Sequence, residues 1–194
     1  AHEYKILSYL TLNSGWPYGG ANTPVTEAAS KLRMVAIDVP AGAGSFALPG
    51  ISNGEELIAM FGGEGSAKRY DVNDLHQLNL HPEDGRVSMP PAKAGRVVLC
   101  FISSRTGQQV KRAAVGAEGF VLDHLSHDAV ADHLRTVADP LITAFGNNPP
   151  YSVFSDSLEA YGTDWTPDFL TEFKRLRGYD LTPYLPDLFS GDSA

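Results

Sequence analysis

Cysteine is nearly absent: Cys100 is the single one in 194 residues. One cysteine excludes an intrachain disulfide and leaves the redox compartment open. It lies inside the apolar run Val97-Val98-Leu99-Cys100-Phe101-Ile102, so it reads as a buried small hydrophobe rather than a reactive thiol. Positive charge is scarce too, with 15 Lys and Arg against 23 Asp and Glu and a formal net charge of -8. Nucleic acid and anionic membranes both demand a basic patch, and no long basic run offers one. Nucleic acid is therefore not an expected partner. No stretch approaches the roughly 20 apolar residues of a membrane span, and no charged-then-apolar leader precedes Ala1. Repeats and low-complexity segments are also missing.

What is present suits a globular domain, since 43% of the residues are apolar, enough for a sizeable core. Residues 4–12 alternate and read as a strand, turning at Asn13-Ser14-Gly15. Residues 24–32 read as a helix capped by Thr23, with Glu27 in its first turns. Residues 33–116 change character. They are rich in Gly and Pro, with strands at 34–39 and 96–102 and a short helix around 55–60. Arg105-Thr106-Gly107 turns into another extended segment ending near Arg112. Gly62-Gly63-Glu64-Gly65-Ser66-Ala67-Lys68 lacks the Gly-Lys-Ser/Thr ending and preceding buried strand of a phosphate loop, and reads as a flexible turn.

From Gly119 a strand and helix rhythm returns. Residues 119–125 read as a buried strand, and Ser126 caps a helix whose Val130, Leu134, Val137, Leu141 and Phe145 share a stripe. Pro140 predicts a kink within it, and Asn147-Asn148-Pro149-Pro150 predicts its end. A strand at 151–155 precedes a helix over 169–177. That helix has Thr166 as cap, Pro167 first, Asp168 in the first turn and Gly178 as stop. A short turn at 183–188 follows. The expected fold is α/β: a partial (β/α) TIM-like barrel interrupted by a mostly β insertion. Residues 1–32 would form the first strand and helix, 33–116 the insertion, and 117–194 further βα units. A closed barrel takes about 250 residues, so the unit count is too low for closure. Both chain ends read as cuts, and a fragment with an open strand edge is expected to be marginally stable or to aggregate.

Three constellations carry chemistry. Phe154-Ser155-Asp156-Ser157-Leu158-Glu159 is an apolar run that breaks into two carboxylates, as when a barrel strand delivers acids to its C-terminal rim; a solvated loop acid is the plainer reading of any single Glu. Asp123-His124 stands at the same place on the preceding strand, open to ligand contact or to loop and cap chemistry. Gly15-Trp16-Pro17-Tyr18-Gly19-Gly20 sets aromatics between glycines, which suits stacking on a sugar or plugging a barrel rim. His124, His127 and His133 with Asp123, Asp128 and Asp132 look like a metal cluster on paper. His127 and His133 are about 240° apart around a helix, however, and cannot share an ion.

Together, Gly15 to Gly20, Gly119-Phe120-Val121-Leu122-Asp123-His124-Leu125-Ser126, Asp156-Ser157-Leu158-Glu159, Trp165-Thr166-Pro167 and Arg177-Gly178-Tyr179-Asp180-Leu181-Thr182-Pro183-Tyr184-Leu185-Pro186 resemble glycoside hydrolase family 106, the α-L-rhamnosidases. The resemblance implies a catalytic (β/α) barrel interrupted by β structure, inverting hydrolysis of terminal α-L-rhamnosyl linkages, and Ca2+ at the active site. By the same resemblance Glu159 is the general acid; Trp16, Tyr18, Asp123, His124 and Asp156, from their places at the strand ends, are the expected contacts to a rhamnose-containing carbohydrate. The metal ligands are unassigned, and the setting implied is secreted or periplasmic. An inverting glycosidase needs a protonated carboxyl and a second carboxylate roughly 6.5 to 9.5 Å away. The family's base comes from a later strand, so the chain is expected to be inactive without the remainder of its parent chain. Glu159 is expected to need a raised pKa. A noncatalytic carbohydrate-binding module and another barrel glycosidase or esterase are the competing readings.

Overall fold

The computed structural model describes residues 6–13, 15–79 and 81–190. Tyr4 and Lys5 of the expected first strand and Ser14 of the turn lie outside the described residues. The chain divides into two compact units, Ala1–Lys31 with Arg105–Thr166, and Leu32–Ser104 with Pro167–Ala194.

In the first unit Tyr9–Thr11 pairs in parallel with Ser152–Phe154, in the register Tyr9 to Ser152, Leu10 to Val153 and Thr11 to Phe154. Phe120–Val121 pairs antiparallel with Gly19–Gly20. Glycine is required there: a Cβ on Gly119 would stand 2.1 Å from the Gly20 carbonyl oxygen. Ala29, Val110 and Val121 form an apolar cluster in this unit. Ser126 caps the helix His127–His133 as expected, its side chain accepting from the Ala129 N–H. The helix then widens into a π turn over Leu134–Ala138 and resumes at Asp139–Ala144, with Pro140 in its first turn. Proline lacks an N–H and its ring crowds the carbonyl four residues back, which a wide turn relieves. The wide turn also shifts the helical phase. Ala129, His133 and Ala138 are buried, whereas Leu134 and Leu141 of the expected apolar stripe are exposed.

The second unit is mostly β. Its largest sheet has five strands, with Arg96–Arg105 between Ser30–Val39 and Glu56–Ser66, and with Arg69–Tyr70 and His76–Gln77 on the far side of Glu56–Ser66. A second sheet orders Ser45–Ala47, Arg86–Ser88 and Pro82–Glu83. Every residue from Val97 to Ser104 is buried, which is how a strand covered on both faces reads in sequence. Val98, Cys100 and Ile102 join Val39, Phe46, Met60, Val87 and Met89 in one core. Phe101 meets Phe61 and Phe189 edge-on, each at 5.6 Å between ring centroids. Cys100 is fully buried, and burial pushes its thiol up to about 11. The helix Phe169–Arg177 closes at Gly178, whose φ of 81° suits a residue without Cβ. Its N-cap is Asp168; Thr166, the expected cap, is buried two residues earlier.

The expected partial (β/α) TIM-like barrel is not what forms. Among the described residues the strands fall into separate sheets of two, five, two and three, and the pairings of Arg96–Arg105 with Glu56–Ser66, Phe120–Val121 with Gly19–Gly20 and Arg86–Ser88 with Ser45–Ala47 are antiparallel. A barrel needs one closed parallel sheet. An apolar run marks burial on both faces and says nothing about the direction of the neighbouring strand. The predicted helix over 24–32 is a single 3-10 turn, Val25–Glu27, followed by the strand Ser30–Val39. Val35, Ile37 and Val39 at every second position favour that extension. The predicted helix around 55–60 is the strand Glu56–Ser66. Gly62, Gly63 and Gly65 belong to that strand rather than to a flexible turn, and a Cβ on Gly63 would stand 2.8 Å from the Asp74 carbonyl oxygen.

Candidate functional site

All six residues singled out from the sequence fall in the first unit. The parallel pair explains the meeting of two of their loops. Tyr9–Thr11 and Ser152–Phe154 run the same way, so the chain leaving each strand emerges at the same end of the sheet. One exit leads to Trp16 and Tyr18, the other to Asp156 and Glu159. A depression of about 10 Å3 is lined by Trp16, Pro17 and Tyr18 from the first and by Ser155, Asp156 and Leu158 from the second. That volume holds about one water molecule. Tyr18 Oη donates to the Phe154 carbonyl at 3.1 Å and its ring stacks on His133 at 5.7 Å. Asn13 Nδ2 donates to the carbonyls of Gly15 at 3.1 Å and Pro17 at 2.6 Å. Asp156 is exposed, its Oδ1 accepting from the Ser157 N–H at 2.8 Å.

Glu159 has a dense set of partners. Lys111 Nζ lies 2.6 Å from Oε2, Tyr161 Oη donates to Oε2 at 2.8 Å, and Ser157 Oγ donates to Oε1 at 3.1 Å. The Lys111 ammonium, then the Tyr161 and Ser157 hydroxyls, draw the Glu159 carboxyl down to about 2. Lys111 is raised correspondingly, chiefly by its hydrogen bond to Glu159. A general acid needs the opposite shift, so Glu159 is a carboxylate at neutral pH in this form. The surrounding backbone is clamped by one side chain. Gln108 Nε2 donates to the Glu159 carbonyl at 2.6 Å and its Oε1 accepts from the Tyr161 N–H at 2.7 Å.

The same extended segment holds Trp16. The Trp16 N–H donates to the Lys111 carbonyl at 3.2 Å, and the Lys111 N–H donates back to the Trp16 carbonyl at 2.8 Å. The Arg112 guanidinium lies 5.3 Å over the indole, a cation-π contact. Gln108, Lys111, Arg112 and Tyr161 were missed in the sequence. The only local signal was a Lys-Arg pair after a turn, and nothing links it to a glutamate 48 residues later.

Asp123 and His124 are placed differently. Asp123 is fully buried, at 0% exposure. Its Oδ2 accepts from Ser30 Oγ at 2.9 Å and its Oδ1 from the Leu125 N–H at 3.0 Å. Arg105 reaches the same Ser30 hydroxyl and the Ala28 carbonyl. Asp123 thereby ties the loop before the helix to Ser30 within the first unit. His124 is half-buried, and both of its ring nitrogens are buried with no hydrogen-bond partner among the described residues. Burial is the first cause lowering its pKa, with His133 adding to the effect and Asp123 opposing it. His133 is buried with Nε2 3.1 Å from the Leu12 carbonyl, and burial likewise lowers it. His127 is exposed on another side of the helix.

Calcium takes oxygen ligands in sets of six to eight. Among the described residues no three His, Cys, Asp or Glu side chains converge on a point that could hold a metal ion. Asp123 accepts one hydrogen bond on each oxygen and Glu159 is paired with an ammonium, so the described residues assemble no calcium site by themselves.

Comparison with known proteins places the chain. The profile of glycoside hydrolase family 106, alpha-L-rhamnosidase, matches residues 64–191. A protein of Formosa agariphila carried under the provisional name beta-glucuronidase is 30% identical over 119 residues, covering 59% of this chain and 10% of that protein. The solved structure of the rhamnosidase from Novosphingobium sp. PP1Y superposes with a TM-score of 0.51 at 29% identity, covering 61% of this chain and 12% of that one. The chain thus spans about a tenth of the length of these relatives. It belongs to the alpha-L-rhamnosidase family, glycoside hydrolase family 106.

Proposed function

We propose, with that membership as the premise, that this chain is part of a longer glycoside hydrolase cleaving terminal α-L-rhamnosyl linkages with inversion, and that Glu159 is its general acid. The observation that carries the reading is the common exit of two loops. A parallel strand pair brings the aromatic loop with Trp16 and Tyr18 beside the acidic loop that ends in Glu159. Trp16 and Tyr18 supply a ring face and a hydroxyl to a sugar, Asp156 an acceptor for its hydroxyls, and His124 a neutral imidazole. Asp123, buried and accepting a hydrogen bond on each oxygen, holds the loop that carries His124.

The paired carboxylate holds no proton, so Glu159 must part from Lys111, take up a proton from solvent and have its pKa raised above the ordinary carboxylate range before it can donate that proton to the leaving oxygen. The second carboxylate comes from the remainder of the parent chain, and the isolated chain does not turn over. A secreted or periplasmic setting matches a glycan substrate. The ion pair on Glu159 and the small depression favour one further reading, a carbohydrate-binding module in which Glu159 only accepts hydrogen bonds from sugar hydroxyls.

Hydrolysis of an aryl α-L-rhamnoside by the full-length parent separates the two. Glu159→Gln is expected to lower kcat/KM by at least about 100-fold. Wild-type turnover in that variant would leave the binding module as the surviving reading.

A further inference from the structure

We propose that Lys111 and Gln108 are positioning residues for Glu159: Gln108 fixes the backbone on both sides of it, and the movable Lys111 side chain governs when it can carry a proton. The proposal rests on Glu159 being the reacting carboxyl. It arises from a contrast between what is fixed and what can move.

The main chain at Lys111 is fixed. It exchanges two hydrogen bonds with Trp16, and the backbones approach so closely that a Cβ on Gly15 would stand 2.2 Å from the Lys111 carbonyl oxygen. The main chain at Glu159 is fixed as well, by the two Gln108 bonds to the Glu159 carbonyl and the Tyr161 N–H. Between these two anchored backbones the link is a flexible four-carbon stem. The Lys111 side chain is 40% exposed, and its ammonium reaches Glu159 Oε2 at 2.6 Å and Tyr161 Oη at 3.3 Å. It also lies 4.6 Å from the centre of the Tyr161 ring. The groups facing the Glu159 carboxylate are thus Lys111, Tyr161 and Ser157, and Lys111 is the one that carries charge.

Withdrawing an ammonium from 2.6 Å removes the main influence favouring the ionised carboxylate. Trp16 and Lys111 are cross-strand partners, and such partners project to the same face. A sugar settling on Trp16 therefore arrives beside the ammonium it must displace. Substrate binding then removes the ammonium and lets the carboxylate take up a proton from solvent, and Gln108 keeps Glu159 in place while the stem swings away.

Carboxyl carbon NMR of the 194-residue chain tests this without turnover. In the wild type Glu159 is expected to titrate at about 2, held there chiefly by Lys111. In Lys111→Met its midpoint is expected to rise by more than about one unit, whereas Lys111→Arg keeps it low. An unmoved midpoint in Lys111→Met overturns the proposal, and Lys111→Gln gives the same readout if the Met variant does not fold. Gln108→Ala is expected to speed amide exchange at Tyr161 by about tenfold or more; unchanged exchange overturns the clamp. In the full-length parent, Lys111→Met is expected to move the basic limb of kcat/KM to higher pH, a shift that a merely structural role would not give. A fully active Glu159→Gln parent would instead remove the reading of Glu159 as the acid while leaving the titration result standing.

Discussion

Two glutamates, one in each unit, are both drawn down to about 2, and their surroundings differ. Glu55 in the second unit takes both nitrogens of a fork: Arg33 Nε and Nη2 reach its two oxygens at 2.9 and 3.0 Å. The Ser52 N–H and the Ser104 hydroxyl complete the set. Its side chain is only 10% exposed, and that of Arg33 26%. Glu159 in the first unit is 34% exposed and faces a single-point ammonium on a stem that is 40% exposed. The bidentate pair beside an apolar core is a structural fastener. The monodentate, solvated pair has an alternative partner in water and can open, which is what a proton carrier requires. The units differ likewise in their cores. Apolar packing around Arg96–Arg105 sets the geometry of the second unit, whereas side-chain hydrogen bonds and close glycine contacts set that of the first.

The largest expected effect strikes the apolar side of that contrast. Phe101→Ala, emptying a fully buried site between Phe61 and Phe189, is expected to cost about 4 kcal/mol in urea denaturation. A loss under about 1 kcal/mol would mean that this strand is not the centre of its unit. Gly119→Ala probes the other unit and is expected to cost roughly 3 kcal/mol, because the new methyl would meet backbone at 2.1 Å. Gly50→Ala, with nothing within 4 Å, is the control, expected within about 0.5 kcal/mol of wild type.

The ion pairs give a smaller and sharper contrast. Arg33→Met is expected to cost about 2 kcal/mol, because it leaves Glu55 largely buried and without its cation. Lys111→Met is expected to leave the denaturation midpoint unchanged. Equal losses in the two variants would erase the distinction. The pH dependence has a defined sign. Glu55 is held at about 2, below its ordinary 4.5, so its contribution is fully present above about pH 4.5 and is lost as pH falls toward 2. Arg33→Met should therefore lose less stability than wild type across that window.

The parts legible in the sequence were those fixed by local chemistry. The run around Cys100, the Ser126 cap, the break before Tyr151 and the stop at Gly178 each follow from residues adjacent in the chain. Strand direction was not legible, since it depends on partners far away: Gly119 to Leu125 looks the same whether its neighbour runs parallel or antiparallel. The residues 24–32 carry too short a pattern to separate a helix from a turn and strand. At the site, Trp16, Tyr18 and Asp156 line one depression because the two parallel strands before them exit at the same end. Asp123 read as a rim acid because an acid at a strand end has the same sequence signature whether it faces solvent or is buried against Ser30. Lys111 carries the charge state of Glu159, and its link to that residue exists only in three dimensions.

Leaving-group dependence in the full-length parent tests the role of Glu159 most directly, because a general acid matters in proportion to how badly the departing oxygen needs a proton. Glu159→Gln should hydrolyse 2,4-dinitrophenyl α-L-rhamnoside within about tenfold of wild type, yet lose about 1,000-fold on an alkyl rhamnoside. Equal losses on both substrates would show that Glu159 acts on the sugar rather than on the leaving group.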